Sequence, residues 1–381
     1  MRLEEICTVF TDGDWIESKD QSDDGIRLIQ TGNIGEGIYL EKEARAKYIS
    51  EEIFGKLKCT EIFPGDILVS RLPDPVGRAC IIPEKEERMI TAVDCTICRP
   101  NESIISKEYL CYFMRSSAYY KKLLGSVTGT TRKRISRKNL GNVELEVPSK
   151  ERQMDVVEQL DCLVKVIESR KQELQLLDTL IKARFVEMFS SIREERLLGE
   201  ISEFVTVGIA NSATHAYAES GIPMLRNQNI KENYLDDSDL IYIKPEFAAK
   251  YDSKCLKQND IIVMRTGYPG VACLVPEKYE GCQTFTTLIV RLKPNNNPSY
   301  VCSYINSDFG KKFINSEKVG VAQQNVGAKS LAKMPIKIAP KEIQDEFATF
   351  VDQVDKSKVV VQKALDETQI LFNSLMQQYF G

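Results

Sequence analysis

The sequence predicts an α+β protein: two tandem, duplicated α/β modules, each followed by a long helix, with the two helices pairing as an antiparallel coiled coil. Three observations predict this fold. A segment without Gly or Pro occurs twice, Glu151 corresponding to Glu342 and Phe189 to Phe380. Short motifs recur in the same order before each copy. Finally, 381 residues exceed one ordinary core. The predicted divisions are a first module at 1–149, a helix at 150–192, a second module at 193–340 and a helix at 341–381.

The first module is predicted to alternate short strands with polar turns. Gly25–Ile29 has the composition of a strand and leads into Gln30–Ile34, a loop with many side-chain donors and acceptors. The turn at Pro64 precedes a buried strand that ends at Ser70. Residues 108–124 show a helical pattern, and Val143–Pro148 alternates like a strand before the first long helix.

A basic loop lies late in the first module. Between Tyr119 and Val143 the chain has no acidic residue, although the net charge of the whole protein is −4. The basic residues are Lys121, Lys122, Arg132, Lys133, Arg134, Arg137 and Lys138. A local basic patch can bind phosphates even in a mildly acidic protein, because screening leaves mainly nearby charges in play. A solvated surface without a ligand is the alternative interpretation.

The long helices are predicted from apolar seams with alternating steps of three and four residues. Polar residues interrupt the seams at Arg170, Arg184, Lys358 and Thr368, which lowers stability but can fix register. The matched phase of the two seams argues against two unrelated amphipathic helices. The predicted seam residues are Leu160, Leu163, Ile167, Leu174, Leu177, Ile181, Met188, Val351, Val354, Val361, Leu365, Phe372, Leu375 and Tyr379.

The second module repeats the first in order. Gly221–Ile230 corresponds to the Gly25 stretch, Asp260–Arg265 to Asp66–Arg71, and Ala272–Glu277 to Ala79–Glu84. The turn after Arg265 is one residue shorter than that after Arg71. Asn259 stands where the first module has Gly65.

This order of motifs resembles the specificity (S) subunits of type I restriction-modification systems, the HsdS family. The resemblance covers nearly the whole chain, and its motifs are Ile26–Ile34, Pro64–Ser70, Val76-Gly77-Arg78, the Pro148-x-x-Glu151-Arg152-Gln153 opening of the first helix and its Phe185-x-x-Met188-Phe189 close. The resemblance implies two target recognition domains whose helices pair as a coiled-coil spacer. It also implies a non-catalytic DNA-binding subunit of a methyltransferase complex, specific for a bipartite, asymmetric site with one half-site per domain.

The resemblance further implies the partners of the chain. They are double-stranded DNA, two methylation (M) subunits and a restriction (R) subunit. S-adenosylmethionine and ATP are expected on those subunits, with no cofactor bound by this chain. Apolar residues outside the seam would dock partner helices: Val156, Val157, Val166, Leu176, Val186 and Phe189.

Candidate DNA-binding residues come from the repeated loops and the basic loop. Amide and hydroxyl side chains can hydrogen-bond base edges, and arginine suits bidentate contact with guanine. Turn capping and internal ion pairs are the structural alternatives for these residues. The candidates are Arg27, Gln30, Thr31, Asn33, Arg71, Arg78, Arg132, Lys133, Arg134, Arg137, Lys138, Arg226, Asn227, Gln228, Asn229, Arg265, Gln323, Gln324, Asn325 and Lys329.

Signals for other functions are weak. The sequence has no Walker or dinucleotide-binding motif and one histidine, His215, so it predicts neither catalysis nor a His-rich metal site. Trp15 is predicted as a packing anchor, and Cys95 and Cys98 as buried strand thiols. An acidic start and the lack of a long apolar run predict a cytoplasmic protein without membrane segments. A coiled-coil adaptor with two protein-binding modules and no DNA binding is the alternative function.

Overall fold

The computed structural model describes residues 1–129, 133–211, 213–318 and 324–381. The chain divides into two compact units. Unit 1 comprises Met1–Lys171 and Lys363–Gly381, and unit 2 comprises Gln172–Gln362. Each unit therefore contains one α/β module and one half of each long helix.

The module of unit 1 begins with short strands and ends with three short helices. Its elements are β1 (Cys7–Asp12), β2 (Ile26–Ile29), β3 (Tyr48–Ile49), α1 (Glu51–Leu57), β4 (Glu61–Ile62), β5 (Ile67–Ser70), β6 (Ala79–Ile81), β7 (Met89–Thr91), β8 (Cys95–Pro100), α2 (Lys107–Phe113), α3 (Ser117–Leu124) and α4 (Arg137–Gly141). The first long helix, α5 (Lys150–Phe189), comes next and is continuous over 40 residues.

Two four-stranded sheets form the core of unit 1. One is antiparallel with strand order β1-β8-β5-β6, and the other has the order β3-β2-β7-β4 with β2 and β7 parallel. Ile29, Leu68, Met89 and Ile97 come from different strands of both sheets and are at most 1% exposed. At about 25 cal/mol per Å² of buried apolar surface, such residues provide most of the stabilisation of the module.

The module of unit 2 repeats much of this order and adds several short elements. Its elements are β9 (Glu195–Leu197), α6 (Leu198–Ile201), β10 (Ser202–Val207), β11 (Tyr217–Ala218), β12 (Ile222–Arg226), β13 (Ile230–Lys231), β14 (Tyr234–Leu235), β15 (Ile241–Ile243), α7 (Pro245–Ala248), β16 (Ile261–Val263), β17 (Ala272–Leu274), β18 (Gln283–Phe285), β19 (Leu288–Leu292), α8 (Pro298–Asn306), α9 (Asp308–Glu317), α10 (Ala328–Leu331) and β20 (Pro335–Lys337). The second long helix is α11 (Lys341–Phe380).

The first sheet of unit 2 matches that of unit 1 in topology and register, and the second shares three strands but has a different fourth strand. The order β10-β19-β16-β17 corresponds to β1-β8-β5-β6, and in β11-β15-β12-β18 the strands β12 and β18 are parallel, like β2 and β7. The register shift in β1 between Cys7 and Val9 recurs in β10 between Ser202 and Phe204. The predicted duplication is therefore present in the three-dimensional structure.

Within each unit, α5 and α11 run antiparallel. In unit 1 the Tyr379 hydroxyl donates to Gln159 Oε1 at 2.6 Å. In unit 2 Lys358 Nζ lies 2.7 Å from Asp178 Oδ1, and Arg184 Nη2 lies 3.0 Å from Glu346 Oε1. These pairs show residue numbers rising on one helix as they fall on the other. The predicted antiparallel coiled coil is confirmed, and two of its polar seam residues, Lys358 and Arg184, form ion pairs between the helices.

Each module is attached to the helices by the same buried contacts. In unit 1 Gln153 accepts from the Ser106 N–H at 2.8 Å and donates to the Pro148 carbonyl at 3.0 Å. In unit 2 Gln344 accepts from the Asn297 N–H and donates to the Ala339 carbonyl, both at 2.8 Å. Both glutamines are at most 1% exposed.

An aromatic pair repeats at each junction. The Phe380 ring centroid lies 5.2 Å from that of Tyr109 in unit 1, and the Phe189 centroid lies 4.4 Å from that of Tyr300 in unit 2. Phe189 therefore packs against the module of unit 2, and Phe380 packs against the module of unit 1.

Two predicted elements differ in the structure. Residues 108–124 form two helices, α2 and α3, because Ser116 caps the second by accepting from the Tyr119 N–H at 3.1 Å. Val143–Pro148 forms no strand, and only a single bridge joins Glu144 to Arg2.

The cysteines are free thiols, and most are buried. Cys95 and Cys98 are buried in β8, as predicted, and the burial of Cys95 raises its pKa to about 12. Cys7 and Cys255 are partly exposed, whereas Cys162 on α5 is exposed. Among the described residues, no helix is both long and apolar enough to cross a membrane.

Candidate nucleic-acid interface

Three loops of unit 2 converge where the central strands end. The Arg265 N–H donates to Asn227 Oδ1 at 3.0 Å, and Asn227 Nδ2 donates to Thr266 Oγ1 at 2.9 Å. The Val326 N–H donates to the Arg265 carbonyl at 3.1 Å, and Thr266 and Asn325 form a β-bridge. The loops after β12, after β16 and before α10 therefore form one surface.

The corresponding loops of unit 1 also converge, although the acceptor for the Arg71 N–H is a backbone carbonyl and that for the Arg265 N–H is a side-chain oxygen. The Arg71 N–H donates to the Asp94 carbonyl at 2.9 Å, and the Ile135 N–H donates to the Arg71 carbonyl at 3.2 Å. Ile135 thus has the role in unit 1 that Val326 has in unit 2. The two modules present loops on a common backbone framework.

A glycine fixes one side of each loop cluster. A Cβ atom at Gly13 would lie 2.3 Å from the Thr91 carbonyl oxygen, and one at Gly208 would lie 2.3 Å from that of Thr284. Any side chain at either glycine would separate the paired segments. The threonine hydroxyls donate in turn to the strands beside them, with Thr284 Oγ1 3.1 Å from the Leu225 carbonyl.

The basic loop of unit 1 is partly held by acidic residues. Arg134 forms an ion pair with Asp94 at 3.0 Å, and Arg137 lies 4.0 Å from Asp12. Lys133 and Lys138 are exposed. Arg132 lies outside the described residues. Neither lysine forms an ion pair with another described residue, so phosphate binding would break none.

Arg71 is neutralised inside unit 1. It is 5% exposed, its Nη1 lies 3.3 Å from Asp12 Oδ2, and its Nη2 donates to the Val93 carbonyl. Burial lowers the pKa of Arg71, and the Asp12 carboxylate opposes that shift. The structure thus gives Arg71 the structural role of an internal ion pair.

Four more predicted contacts have structural roles. Arg27 is 3% exposed beside Glu41, and Arg78, 9% exposed, donates to several carbonyl oxygens, including that of Ile34 at 2.8 Å. Asn33 and Asn229 cap equivalent turns by accepting from the N–H groups three residues earlier, at 3.0 and 2.9 Å. We do not include these side chains in the interface, because their polar groups are used within the modules.

Arg226 and Gln228 share a carboxylate. Arg226 Nη2 lies 3.0 Å from Asp239 Oδ2, and Gln228 Nε2 donates to the same oxygen at 2.5 Å. Asp239 is mostly exposed, with 69% of its side chain accessible. Asp239 therefore orients two candidate donors at the surface.

The remaining candidates that the structure describes are partly or fully exposed. Gln30 and Thr31 are partly exposed in unit 1, as Asn325 is in unit 2. Gln324 and Lys329 are exposed, and Gln323 lies outside the described residues. DNA contact by these residues stays a prediction.

Two exposed aromatic residues were not predicted as contacts. Tyr268 is 79% exposed in the loop after β16, between Gly267 and Gly270, both with positive φ. Trp15 is 68% exposed with its Nε1 3.3 Å from Glu17 Oε1, so its prediction as a packing anchor is wrong. An aromatic residue between glycines was the available sequence signal for Tyr268.

A groove of about 840 Å³ adjoins the loop cluster of unit 2. Lys182 of α5, Gln228, Lys231, Thr266 and Tyr268 are among its lining residues. The described part of the chain contains no cluster of three or more His, Cys, Asp or Glu side chains suited to a metal ion. The lining of the groove also includes the carboxylates of Asp178 and Glu232.

The family model for the type I restriction modification DNA specificity domain matches residues 1–179 and again 193–368. The chain belongs to this family. The two matches coincide with the duplicated module-and-helix arrangement, so the HsdS resemblance is confirmed.

Curated relatives include other HsdS proteins. The EcoKI specificity subunit of Escherichia coli K12 is 18% identical over 306 residues, which cover 74% of this chain and 66% of that protein. The StySPI specificity subunit of Salmonella potsdam is 25% identical over 316 residues, covering 74% of this chain and 65% of that protein. The matches span slightly less than two thirds of the length of these relatives.

Solved structures share the fold. A chain from a study of complex assembly and conformational transition in a type I restriction-modification system has a TM-score of 0.62 and 15% identity, covering 100% of this chain and 96% of that chain. The type I S subunit from M. genitalium has a TM-score of 0.54 and 12% identity, with coverage of 100% and 95%. These similarities support the HsdS fold.

Proposed function

We propose that this chain is the DNA-specificity subunit of a type I restriction-modification complex. One observation supports this above all: the backbone hydrogen bonds from Ile135 to Arg71 and from Val326 to Arg265 hold corresponding loops alike in the two modules, while the side chains around them differ. A constant framework with variable polar groups suits the recognition of two different half-sites. Each module would bind one half of a bipartite, asymmetric site in double-stranded DNA.

The side chains of the clusters suit a division between phosphate and base contacts. Lys133 and Lys138 are exposed cations in unit 1, and phosphate neutralisation by such residues provides affinity. Gln228 and Asn325 of unit 2 have amides, which can form paired hydrogen bonds with adenine. Phosphate contacts would set position, and base contacts would set sequence.

The long helices would set the distance between half-sites. α5 and α11 each continue over 40 residues, about 60 Å at a rise of ~1.5 Å per residue. Neither has a proline or glycine at which the helix would bend easily. The number of helical residues would therefore determine the number of base pairs in the spacer.

Partner subunits would dock on apolar side chains that the helices leave exposed. In unit 2 Leu176 is 59% exposed on α5, while Val359 and Val360 are each 69% exposed on α11. Val156 and Phe189, predicted as docking residues, are at most 2% exposed, so that part of the hypothesis is wrong. We propose two methylation subunits and a restriction subunit as partners. These would bind S-adenosylmethionine and ATP, whereas this chain would be non-catalytic.

Methylome sequencing tests the proposal. A host would express the chain with a methylating subunit encoded beside it, and a matched host would lack only this chain. We expect a new methylated motif with two half-sites separated by unspecified bases. No new motif, with the partner shown to be bound and active, would reject the proposal and favour the adaptor without DNA binding.

A further inference from the structure

The arginine that follows the central strand differs between the modules in its electrostatic surroundings. Arg71 and Arg265 are structural counterparts, because their carbonyls accept from the N–H groups of Ile135 and Val326, respectively. Asp12, the last residue of β1, neutralises Arg71. The last residue of β10, in the same register, is Val207. Unit 2 therefore keeps the arginine and replaces its carboxylate partner with a hydrocarbon.

A second acidic residue is missing from unit 2 as well. In unit 1 Asp94 forms an ion pair with Arg134. It lies two residues before Thr96, which is the residue of β8 opposite Asp12 in the sheet. In unit 2 the residue opposite Val207 is Leu288, and the residue two positions before Leu288 is Thr286. Both carboxylates that balance the arginines of unit 1 are thus absent from this place in unit 2.

The Arg265 guanidinium has no hydrogen bond or ion pair within the described part of the chain. Its Nε is shielded from solvent and has no acceptor, which is also true of Arg71, but the Nη groups of Arg71 bind Asp12 and the Val93 carbonyl. A guanidinium offers five N–H donors in a fixed planar fork. Leaving a shielded donor unsatisfied costs free energy, which a bound acceptor would recover.

The position of Arg265 favours a ligand from outside the protein. Its backbone is held on both sides, by Asn227 Oδ1 and by the Val326 N–H, so the loop is fixed before binding. Thr266 and Tyr268 in the same loop border the open groove beside it. A fixed, unpaired fork at the rim of a groove suits two adjacent hydrogen-bond acceptors.

We infer that Arg265 is a specificity or anchoring residue that binds a pair of acceptors on DNA, whereas Arg71 is structural. The acceptors are either N7 and O6 of a guanine or two oxygens of a phosphate. The inference rests on the proposed function and adds an asymmetry to it: only the second module uses this arginine for DNA.

The test measures binding of the full chain, in complex with its methylating subunit, to duplexes that contain the methylated motif. Fluorescence anisotropy over a range of salt concentrations compares the wild type with Arg265→Ala and Val207→Asp. We expect Arg265→Ala to weaken binding about ten- to a hundredfold. Arg196→Ala is the matched control, because Arg196 is 60% exposed on β9 and pairs with Glu194. It should leave binding unchanged.

Val207→Asp tests the same inference without removing the arginine. The new carboxylate would pair with Arg265 as Asp12 pairs with Arg71, so binding should weaken as in Arg265→Ala. Adding Val207→Asp to Arg265→Ala should cause no further loss, as a double-mutant cycle would show. Val207→Asn, of similar shape but uncharged, should retain most of the binding.

The two acceptor classes give different results. With a guanine contact, methylation by Arg265→Ala complexes should lose discrimination at one base of the second half-site. With a phosphate contact, affinity should fall equally for all duplexes, and the salt slope should decrease by about 1. Either result supports the inference.

The inference would be overturned if Arg265→Ala and Val207→Asp both bound DNA with wild-type affinity, methylated the wild-type motif and showed the wild-type salt slope. That result would leave the proposed function intact. The first half-site is the internal reference and should be unchanged in every variant. Failure of the wild-type complex to methylate any split motif would instead reject the proposed function.

Discussion

At the scale of single residues, a buried ion pair repeats in both modules. Asp260 is 1% exposed and binds Arg291 through two hydrogen bonds, Nε to Oδ1 at 2.8 Å and Nη2 to Oδ2 at 2.6 Å. The Arg291 guanidinium also lies 4.7 Å from the ring centroid of Phe204. Asp66 and Arg99 form the same bidentate pair in unit 1. The pair joins the turn before the central strand to the neighbouring strand.

Asp260→Asn should therefore destabilise unit 2 strongly. The substitution leaves a partly buried guanidinium without its charge partner, a change that costs about 3 kcal/mol. Urea unfolding monitored by circular dichroism would measure the loss. Asp237→Asn is the control, since the Asp237–Lys278 pair is exposed and should contribute under about 1 kcal/mol. Equal losses in the two variants would contradict the role assigned to the buried pair.

The exposed lysines of the basic loop give a second prediction at this scale. Replacing Lys133 and Lys138 with alanine should weaken DNA binding and reduce the salt slope by about 2, because each lysine would release about one counterion. Anisotropy titrations between low and moderate salt would measure both quantities. Lys56 and Lys165, also exposed, provide the control pair. An unchanged slope would show that the loop does not contact phosphates.

At the scale of elements, the junction between module and helix depends on one buried amide. Gln344 is 1% exposed, and its side chain accepts a hydrogen bond from the Asn297 N–H and donates one to the Ala339 carbonyl. Gln344→Leu would leave a donor and an acceptor unsatisfied and should cost about 2 kcal/mol. Denaturant unfolding would measure the loss, with the exposed Gln353→Leu as the control. Wild-type stability of Gln344→Leu would show that the packing of the junction does not need these hydrogen bonds.

The sequence predicts the long helices well because their periodicity extends over 40 residues without Gly or Pro. Local propensity and seam phase agree there. The short strand predicted at Val143–Pro148 fails because alternation over a few residues does not provide a strand with a partner. Backbone pairing, which depends on distant segments, decides such cases.

At the scale of the whole molecule, the proposed spacer gives a direct prediction. Deleting residues 174–180 and 356–362 removes one heptad from each helix and takes out Asp178 together with its partner Lys358. The seam phase is kept, and each helix shortens by about 10 Å. The spacer in the methylated motif should shorten by about three base pairs at ~3.4 Å per base pair. An unchanged spacer in the methylome would contradict the role of the helices.

The candidate interface was less predictable than the fold. Repeated motifs correctly indicated which loops correspond between the modules, but not which side chains remain available. Asn33 and Arg78 have donors suited to DNA, yet the tertiary structure uses them on backbone groups. Arg71 and Arg265 occur in matching motifs, and the residue at the end of a distant strand, Asp12 or Val207, is one of the differences between their surroundings. Such contacts depend on distant parts of the chain and leave no local signal.

The difference in exposure among the cysteines allows one thiol to be labelled selectively. Maleimides react with thiolates that solvent can reach, and burial both shields a thiol and raises its pKa. Cys162 is the exposed cysteine, and it lies on α5 within unit 1. Brief treatment of the wild-type chain should therefore attach a fluorophore preferentially to Cys162. The fluorescence of the labelled chain would then report on binding near the first long helix without any engineered cysteine.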